Sequence, residues 1–205
     1  MAREVERNAR AQEAPIVGSL PDVPGIRVAI GLTPELGKHL LGLADALLVE
    51  DYPGATISRG EREMLAEAVS AGNDCFFCMD SHAEHAAAVL RKDGAADLLP
   101  LLDDIKLGRF DAFTPKMRAL IKIARTVGRA PRELTAEDVG AATASGATDG
   151  DVQLAVAIAA AFSMYNRLVD GFRARTPADL EAYRPRAAQI AEFGYSARPP
   201  VPATR

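Results

Sequence analysis

The sequence predicts an all-α protein with a single main helical domain. Helix start signals recur from residue 33 onward, and the apolar residues between them are spaced three and four positions apart. Few windows alternate apolar and polar residues in the way that strands do. A length of 205 residues with 48% hydrophobic residues suits one domain that can bury a sizeable core.

The start signals are Ser or Thr residues whose side-chain oxygens can accept from the free backbone N–H groups of a first helical turn. They are Thr33-Pro34, Ser58 with Glu61, Thr114-Pro115, Thr135 with Asp138, Thr148 with Asp151, and Thr176-Pro177. Combined with the apolar spacing, they predict helices over 34–49, 59–71, 75–91, 97–107, 115–128, 136–144, 149–173 and 178–191.

These elements divide the chain into three parts. Residues 1–32 contain several Pro and Gly with little periodicity and are predicted to form an extended N-terminal arm. Residues 33–192 form the helical domain, and 193–205 are predicted to be a C-terminal tail. The window Val152 to Phe162 is apolar nearly all round, which indicates a central helix or one buried against another subunit.

Charge and hydropathy exclude several classes of function. The chain has 24 Lys and Arg against 28 Asp and Glu, without a basic run that would follow a phosphate backbone, so no nucleic-acid partner is expected. The longest apolar run, Leu154 to Phe162, is shorter than the roughly 18 to 20 residues of a membrane span, and the first fifteen residues lack the apolar core of a secretory signal. We therefore expect a cytoplasmic protein with no membrane partner.

One short segment concentrates the reactive side chains. Asn73 to His85 (NDCFFCMDSHAEH) contains the only two cysteines of the chain and two of its three histidines. The residues before it predict a break between helices, with Asp74 capping the second helix and Cys75 in its first turn. Positions 75, 78, 82 and 85 would share one face of that helix, which makes Cys78 and His82 direct neighbours.

This arrangement favours thiol chemistry. In the cytoplasm thiols are kept reduced, so a CxxC pair is more typical of catalysis, redox change or metal binding than of a structural disulfide. A helix N-terminus stabilises a thiolate, and the imidazole of His82 can take or return its proton. The negative charge of Asp74 acts in the opposite direction, so the net effect on either thiol is left open.

Metal binding and simple packing are the alternatives. Positions 75 and 85 would lie roughly 15 Å apart along a straight helix, which is too far for both to bind one ion. A site built from Cys75, Cys78 and ligands elsewhere stays open, although no second Cys pair exists; we predict no metal and no cofactor. Both cysteines could instead be inert buried residues. For His85 a surface or packing role is predicted.

The segment Glu61 to His82, EREMLAEAVSAGNDCFFCMDSH, resembles the alkylhydroperoxidase D-like branch of the carboxymuconolactone decarboxylase superfamily. The spacing that carries the resemblance is Glu63, then Cys75 twelve residues on, Cys78 three further on and His82 four further on. The similarity continues from Leu134 to Phe172 and covers most of the chain after about residue 33.

The resemblance implies an all-helical fold, commonly assembled as trimers or hexamers, and a dithiol peroxidase that reduces hydroperoxides. By the same resemblance Cys75 and Cys78 are the redox pair, and His82 and Glu63 form a proton relay. Glu63 lies on the preceding helix, so an antiparallel return would bring its carboxylate near His82. We predict that Cys78 attacks the peroxide and that Cys75 resolves the sulfenic acid to a disulfide. An external dithiol, on a lipoyl group or a thioredoxin-like protein, would then restore both thiols.

The chain departs from the family pattern at Phe77, where well-described members often have a His immediately before the second cysteine. A shorter relay or a less acidic thiol is therefore expected. Two other functions compete with the peroxidase. One is a decarboxylase-like or lactone-handling enzyme of the same superfamily, which would not depend on a CxxC. The other is a non-catalytic thiol sensor, which would form a disulfide without turnover.

Overall fold

The fold consists of α-helices joined by short turns, in a computed structural model that describes residues 6, 8–11 and 13–197. The helices are α1 (Arg27–Ile30), α2 (Pro34–Leu48), α3 (Arg59–Gly72), α4 (Phe76–Lys92), α5 (Pro100–Lys106), α6 (Pro115–Arg129), α7 (Ala136–Ala144), α8 (Asp149–Gly171) and α9 (Arg184–Phe193). Short 3₁₀ helices span Ala96–Leu98, Pro131–Glu133 and Leu180–Tyr183. Within the described ranges there is no β-strand, so the predicted all-α class is confirmed.

The predicted helix caps are confirmed at five of the six positions. Thr33 and Thr114 accept from the third residue of their helices, each with Pro in the first turn. Ser58, Thr135 and Thr148 form reciprocal capping boxes with the acidic residue three positions on. These signals work because they need only contacts within four residues.

The sixth cap was wrong. Thr176 is buried and begins no helix; instead Asp179 caps the 3₁₀ helix Leu180–Tyr183, and α9 starts only at Arg184. The observed helix therefore begins six residues later than the predicted helix 178–191, and it runs on to Phe193. Similarly, the predicted helix 97–107 divides into Ala96–Leu98 and α5, because Pro100 lacks the N–H that a continuous helix would need.

Helices α3 and α4 form an antiparallel pair at the centre of the molecule. Gly60 near the start of α3 lies against Leu90 near the end of α4, where a Cβ on residue 60 would come within 2.6 Å of the leucine side chain. The two helices can approach each other closely there because glycine has no side chain. This close pairing brings the second turn of α3, with Glu63, alongside the middle of α4, with His82.

Helix α8 is the apolar helix that the sequence predicted to be central. It packs on α3, α6 and α2, and Leu154, Ile158 and Phe162 on its inner face are buried. By length and apolar composition alone α8 would also pass as a membrane span, yet half of its most apolar window is buried inside the molecule. The buried side chain of Asp151 and its partners show that the start of this helix is held by polar contacts.

Asp151 is predicted to be a strong contributor to stability. Its carboxylate accepts from the backbone N–H groups of Thr56, Ile57 and Thr148 and pairs with Lys116 Nζ at 2.7 Å. We expect Asp151→Asn to lower the free energy of unfolding by about 2–4 kcal/mol, because a buried charged acceptor is lost and the partners remain. Urea denaturation at pH 7 measures this difference.

The same variant should show a defined pH dependence. Burial acts against ionisation, but Lys116 and the hydrogen bonds from Thr56 and Thr148 hold the pKa of Asp151 well below its usual range. The stabilisation is therefore present above the ordinary Asp pKa of about 3.9 and is lost as the pH falls through the lowered value. A gap between wild type and Asp151→Asn that stayed constant below pH 4 would contradict this account.

The two terminal segments depart from the predicted arm and tail. Residues 8–10 are helical, α1 follows at Arg27, and Val28 and Ala29 are buried, so the N-terminal arm is not extended throughout. Tyr195, within the predicted tail 193–205, is buried as well. The Pro-rich part of that tail, 198–205, lies outside the described residues. Both terminal segments pack over the α3–α4 pair and help to enclose the site described next.

Candidate active site

The turn between α3 and α4 differs from the prediction by one residue. α3 ends at Gly72 with Asn73 as its C-cap, but Asp74 adopts a left-handed φ of 55° and does not cap α4. Cys75 is the N-cap residue, with extended backbone, so it precedes the first helical turn. Asn73 donates to Asn166 Oδ1 at 2.9 Å, which ties the turn to α8. This hydrogen bond fixes the position of the turn that precedes the two cysteines.

The two cysteines are both free thiols and both buried, but they face different surroundings. Cys78, in the first turn of α4, lines a cavity, whereas Cys75 is fully enclosed next to Val28 and Val169. A hydrogen bond with Cys78, and then burial, raise the pKa of the Cys75 thiol well above its ordinary value. Cys75 is therefore held as a neutral thiol behind Cys78.

A carboxylate lies next to Cys75. Asp170 near the end of α8 forms a hydrogen bond with Cys75 and pairs with Arg10 at 3.0 Å. Burial raises the pKa of Asp170, against the lowering effect of Arg10 and of the bond to Cys75. Arg10 also lies over the ring of Phe76, 5.1 Å from its centroid. Asp170 is thus the candidate proton acceptor for the Cys75 thiol. No spacing in the sequence indicated this contact.

Glu63 and His82 are in direct contact. Glu63, in the second turn of α3, is fully buried, and its Oε2 lies 2.7 Å from Nδ1 of His82. The imidazole of His82 also packs edge-on against Phe162, with ring centroids 4.5 Å apart. The carboxylate therefore orients the imidazole through Nδ1, while the phenyl ring holds its plane.

Two further residues complete a buried network. The Tyr195 hydroxyl lies 2.8 Å from Oε1 and 3.0 Å from Oε2 of Glu63, and Nδ1 of His85 lies 3.1 Å from the same hydroxyl. Since Glu63 offers only acceptors, the tyrosine O–H and the Nδ1–H of His82 both donate to it. The hydroxyl oxygen of Tyr195 then accepts from the Nδ1–H of His85. This assignment gives a partner to both Glu63 oxygens, to the Tyr195 hydroxyl and to both Nδ1 atoms, and it leaves each Nε2 as an acceptor.

Burial keeps the outer members of this network uncharged. Burial, and to a smaller degree the neighbouring His82 and Arg186, lower the pKa of His85 well below its usual range. Burial, followed by the charge and hydrogen bonding of Glu63, raises the pKa of Tyr195. His85 is thus a neutral imidazole and Tyr195 a neutral phenol around one carboxylate.

The sequence left the surroundings of His85 and Tyr195 undetermined. His85 was predicted to have a plain surface or packing role; the surface part is wrong, because the side chain is buried and hydrogen-bonded to Tyr195. Tyr195 was placed in a tail, and its contact to Glu63 spans 132 residues. The only signal for His85 was its position on the face shared with His82; no local pattern marks Tyr195.

The cavity beside these residues has a volume of about 620 Å³, within the range of roughly 300–1,000 Å³ that small-molecule sites occupy. Cys78, His82, His85 and Tyr195 line one part of it. Most of the remaining wall is apolar and comes from α1, α2, α8 and α9. The reactive side chains thus meet a partly open, mainly apolar space, and of the two cysteines only Cys78 belongs to its lining.

Phe77 occupies the wall of this cavity. Its ring packs against Tyr183 with centroids 5.4 Å apart, and Gly25 presses on it from the other side. Gly25 has φ of +56°, and a Cβ there would lie 2.1 Å from the phenyl ring, so only glycine fits. Where a His precedes the second cysteine in the resembled family, this chain therefore has an apolar wall. A second imidazole, that of His85, lies near His82, with ring centroids 5.0 Å apart.

Glu63, His82 and His85 are also the residues that could hold a metal ion. One ligand atom from each lies within 4.8 Å of the others, and carboxylate with imidazole suits zinc or ferrous iron. The Tyr195 hydroxyl already bridges these ligands, so an ion would have to replace its hydrogen bonds. Throughout 13–197 no group of three such ligands contains a cysteine.

Tyr195 is predicted to be a positioning residue for Glu63. We expect Tyr195→Phe to lower several-fold the rate of any reaction that uses the Glu63–His82 pair, because the carboxylate loses the hydroxyl donor that holds it against the imidazole. Tyr165→Phe is the matched control. It also removes a buried hydroxyl, but that group donates only to the backbone oxygen of Leu40 at 2.7 Å. Initial rates of the two variants give the comparison, and an equal loss in both would make the effect merely structural.

Comparison with known proteins agrees with this geometry at the level of the fold. No family model matches the chain, and no curated protein does. Among solved structures, the chain is similar to an alkylhydroperoxidase AhpD core, an uncharacterized peroxidase-related protein from Ralstonia eutropha, with a TM-score of 0.65 and 25% identity over 87% of this chain and 96% of that one. It is also similar to an uncharacterized peroxidase-related protein from a Silicibacter species, with a TM-score of 0.65 and 22% identity over 85% and 93% of the two chains. The fold is therefore alkylhydroperoxidase D-like.

Proposed function

We propose that this protein is a dithiol peroxidase that reduces a hydroperoxide at Cys78. The observation that carries the proposal is the position of Cys78 on the wall of an apolar cavity, one helical turn from a histidine held by a buried glutamate. A single cysteine at this position would suit many roles. A second free thiol hydrogen-bonded behind it favours a reaction that ends in a disulfide.

The first step transfers one oxygen atom to Cys78. His82 accepts the thiol proton at Nε2, and the Cys78 thiolate attacks the terminal oxygen of the hydroperoxide. The O–O bond breaks, Cys78 becomes a sulfenic acid, and the departing alkoxide takes the proton back from His82 to leave as an alcohol. Glu63 stabilises the transient imidazolium through Nδ1–H, and Tyr195 and His85 keep that carboxylate in place.

The second step uses Cys75. Its proton passes to Asp170, its sulfur attacks the sulfur of Cys78, and the hydroxyl of the sulfenic acid leaves as water with that proton. The product is the Cys75–Cys78 disulfide, which an external dithiol of the lipoyl or thioredoxin-like kind reduces by thiol exchange. The protein needs no bound cofactor for these steps. We further propose a cytoplasmic homo-oligomer, a trimer or hexamer.

The direct test is peroxide consumption by the purified protein with a dithiol reductant, compared with the Cys75→Ser, Cys78→Ser double variant. Turnover by the wild type alone is the expected result. Equal, near-zero rates in both would remove the peroxidase proposal. In that case disulfide formation by oxidant without turnover would favour the thiol sensor. Prior incubation with a metal chelator is expected to leave the wild-type rate unchanged.

A further inference from the structure

The cavity carries two positive charges that the proposed chemistry does not use. Arg27 from α1 and Arg186 from α9 both line it, and Arg27 is exposed, which places it at the opening. Arg186 is half-buried and donates to the backbone oxygen of Tyr195 at 2.6 Å. Two helices that are far apart in the chain thus each bring a guanidinium group to one cavity.

Neither guanidinium group forms an ion pair with a carboxylate among the described residues. Burial lowers the pKa of Arg186 most, while Tyr195 and Asp45 act to raise it. The charge of Arg27 lowers that pKa further, so Arg27 lies within electrostatic reach of Arg186. The carboxylate of Asp45 is itself engaged, because it accepts from the backbone N–H groups of Tyr195 and Ser196 at 2.6 and 2.9 Å. In the part of the chain that the structure describes, Arg27 forms no ion pair.

The rest of the wall requires an apolar ligand. Ile26, Ile30, Leu40, Leu41 and Ile190 line the cavity with Phe77 and Phe162, and they offer no hydrogen bonds through their side chains. A sugar or a phosphate ester would lose its hydration against such a surface without compensation. A neutral alkyl compound would leave the two like charges unbalanced. A molecule with an apolar body and one anionic end meets both requirements.

We propose that the cavity binds aliphatic monocarboxylates, with the carboxylate at Arg27 and Arg186 and the hydrocarbon chain along the apolar wall. Arginine suits this task because its planar fork pairs with both carboxylate oxygens. Where the proposed peroxidase function holds, the substrate is accordingly a hydroperoxide of a fatty acid, whose peroxide group reaches Cys78. The binding itself requires no peroxide and can be measured separately.

The experiment is titration calorimetry of the reduced protein with octanoate and with 1-octanol, which share a chain and differ in charge. We expect octanoate to bind at least about tenfold more tightly. Arg27→Gln should weaken octanoate binding about three- to tenfold and leave 1-octanol unchanged, since the contact lies at a partly solvated opening. Arg132→Gln is the control, because this exposed arginine does not line the cavity and should change neither value.

Equal binding of the two probes, or an unchanged octanoate affinity in Arg27→Gln, would overturn the ligand class while leaving the peroxidase test untouched. Conversely, octanoate binding that depends on Arg27 supports the ligand class even in a protein that consumes no peroxide. Higher salt should weaken octanoate binding and spare 1-octanol, because only the charged contact is screened. An octanoate affinity insensitive to salt would count against the arginine contact.

Discussion

Replacement of Cys78 by Ser is expected to abolish peroxide turnover, with a loss of at least about 10³-fold, because a serine hydroxyl is not ionised near neutral pH and cannot take an oxygen atom to form a sulfenic acid. The fold should survive, since Ser is nearly the same size and Cys78 lies at the cavity wall. Stopped-flow measurement of peroxide loss with excess dithiol gives the rate, and circular dichroism checks the helices.

Cys75→Ser is the informative counterpart. The variant retains the attacking thiol, so one equivalent of peroxide should still be consumed in a single turnover, and the product should be a sulfenic acid at Cys78 that a dimedone-type probe traps. Steady turnover should fall because no internal thiol closes the disulfide. Full turnover in Cys78→Ser together with its loss in Cys75→Ser would reverse the roles of the two cysteines.

Replacement of Glu63 by Gln is expected to lower kcat/KM by about 10²–10³-fold, a size typical of losing a proton relay. Gln keeps the size of the side chain but removes the negative charge that stabilises an imidazolium at His82. The amide would also place a donor against either His82 or Tyr195, both of which donate in the wild type. Initial rates across pH 5 to 9 should show that the loss is largest where the wild type is most active.

Glu67→Gln is the matched control for Glu63→Gln. Glu67 lies one turn further along α3 and is equally buried, but neither of its carboxylate oxygens has a hydrogen-bond partner among the described residues. Burial raises the pKa of Glu67 well above its ordinary value, so its ionised form costs stability as the pH rises toward that value. We expect full activity and unchanged or higher thermal stability. A loss equal to that of Glu63→Gln would mean that any carboxylate on this helix face suffices.

The local part of the structure could be predicted from the sequence. Helix starts at Thr33, Ser58, Thr114, Thr135 and Thr148 depend on hydrogen bonds within four residues, and each lies where its cap indicates. Residue type alone did not predict which residue caps the helix that begins after Cys75. Asp74 is as good a cap as any by residue type, but the left-handed turn at Asp74 moved the cap to the cysteine.

The candidate site is divided in the same way. Helical spacing alone placed Cys78 and His82 one turn apart, and the resemblance added Glu63 at a position from which an antiparallel helix can reach His82. The approach of Glu63 to 2.7 Å depends on how closely α3 packs on α4, and that depends on Gly60 meeting Leu90. Periodicity along the chain has no information about such a distance.

What the sequence by itself determined is the all-α class, most helix starts and the face of α4 that carries the thiols and the imidazole, because each follows from contacts within a few residues. Only the tertiary structure decided which groups surround that face. Tyr195 and Arg186 come from a terminal segment more than one hundred residues away, and His85 acquires a partner only when Tyr195 packs there. Burial then keeps His85 neutral and leaves Glu63 as the one shared acceptor, an outcome that depends on the removal of water by distant segments.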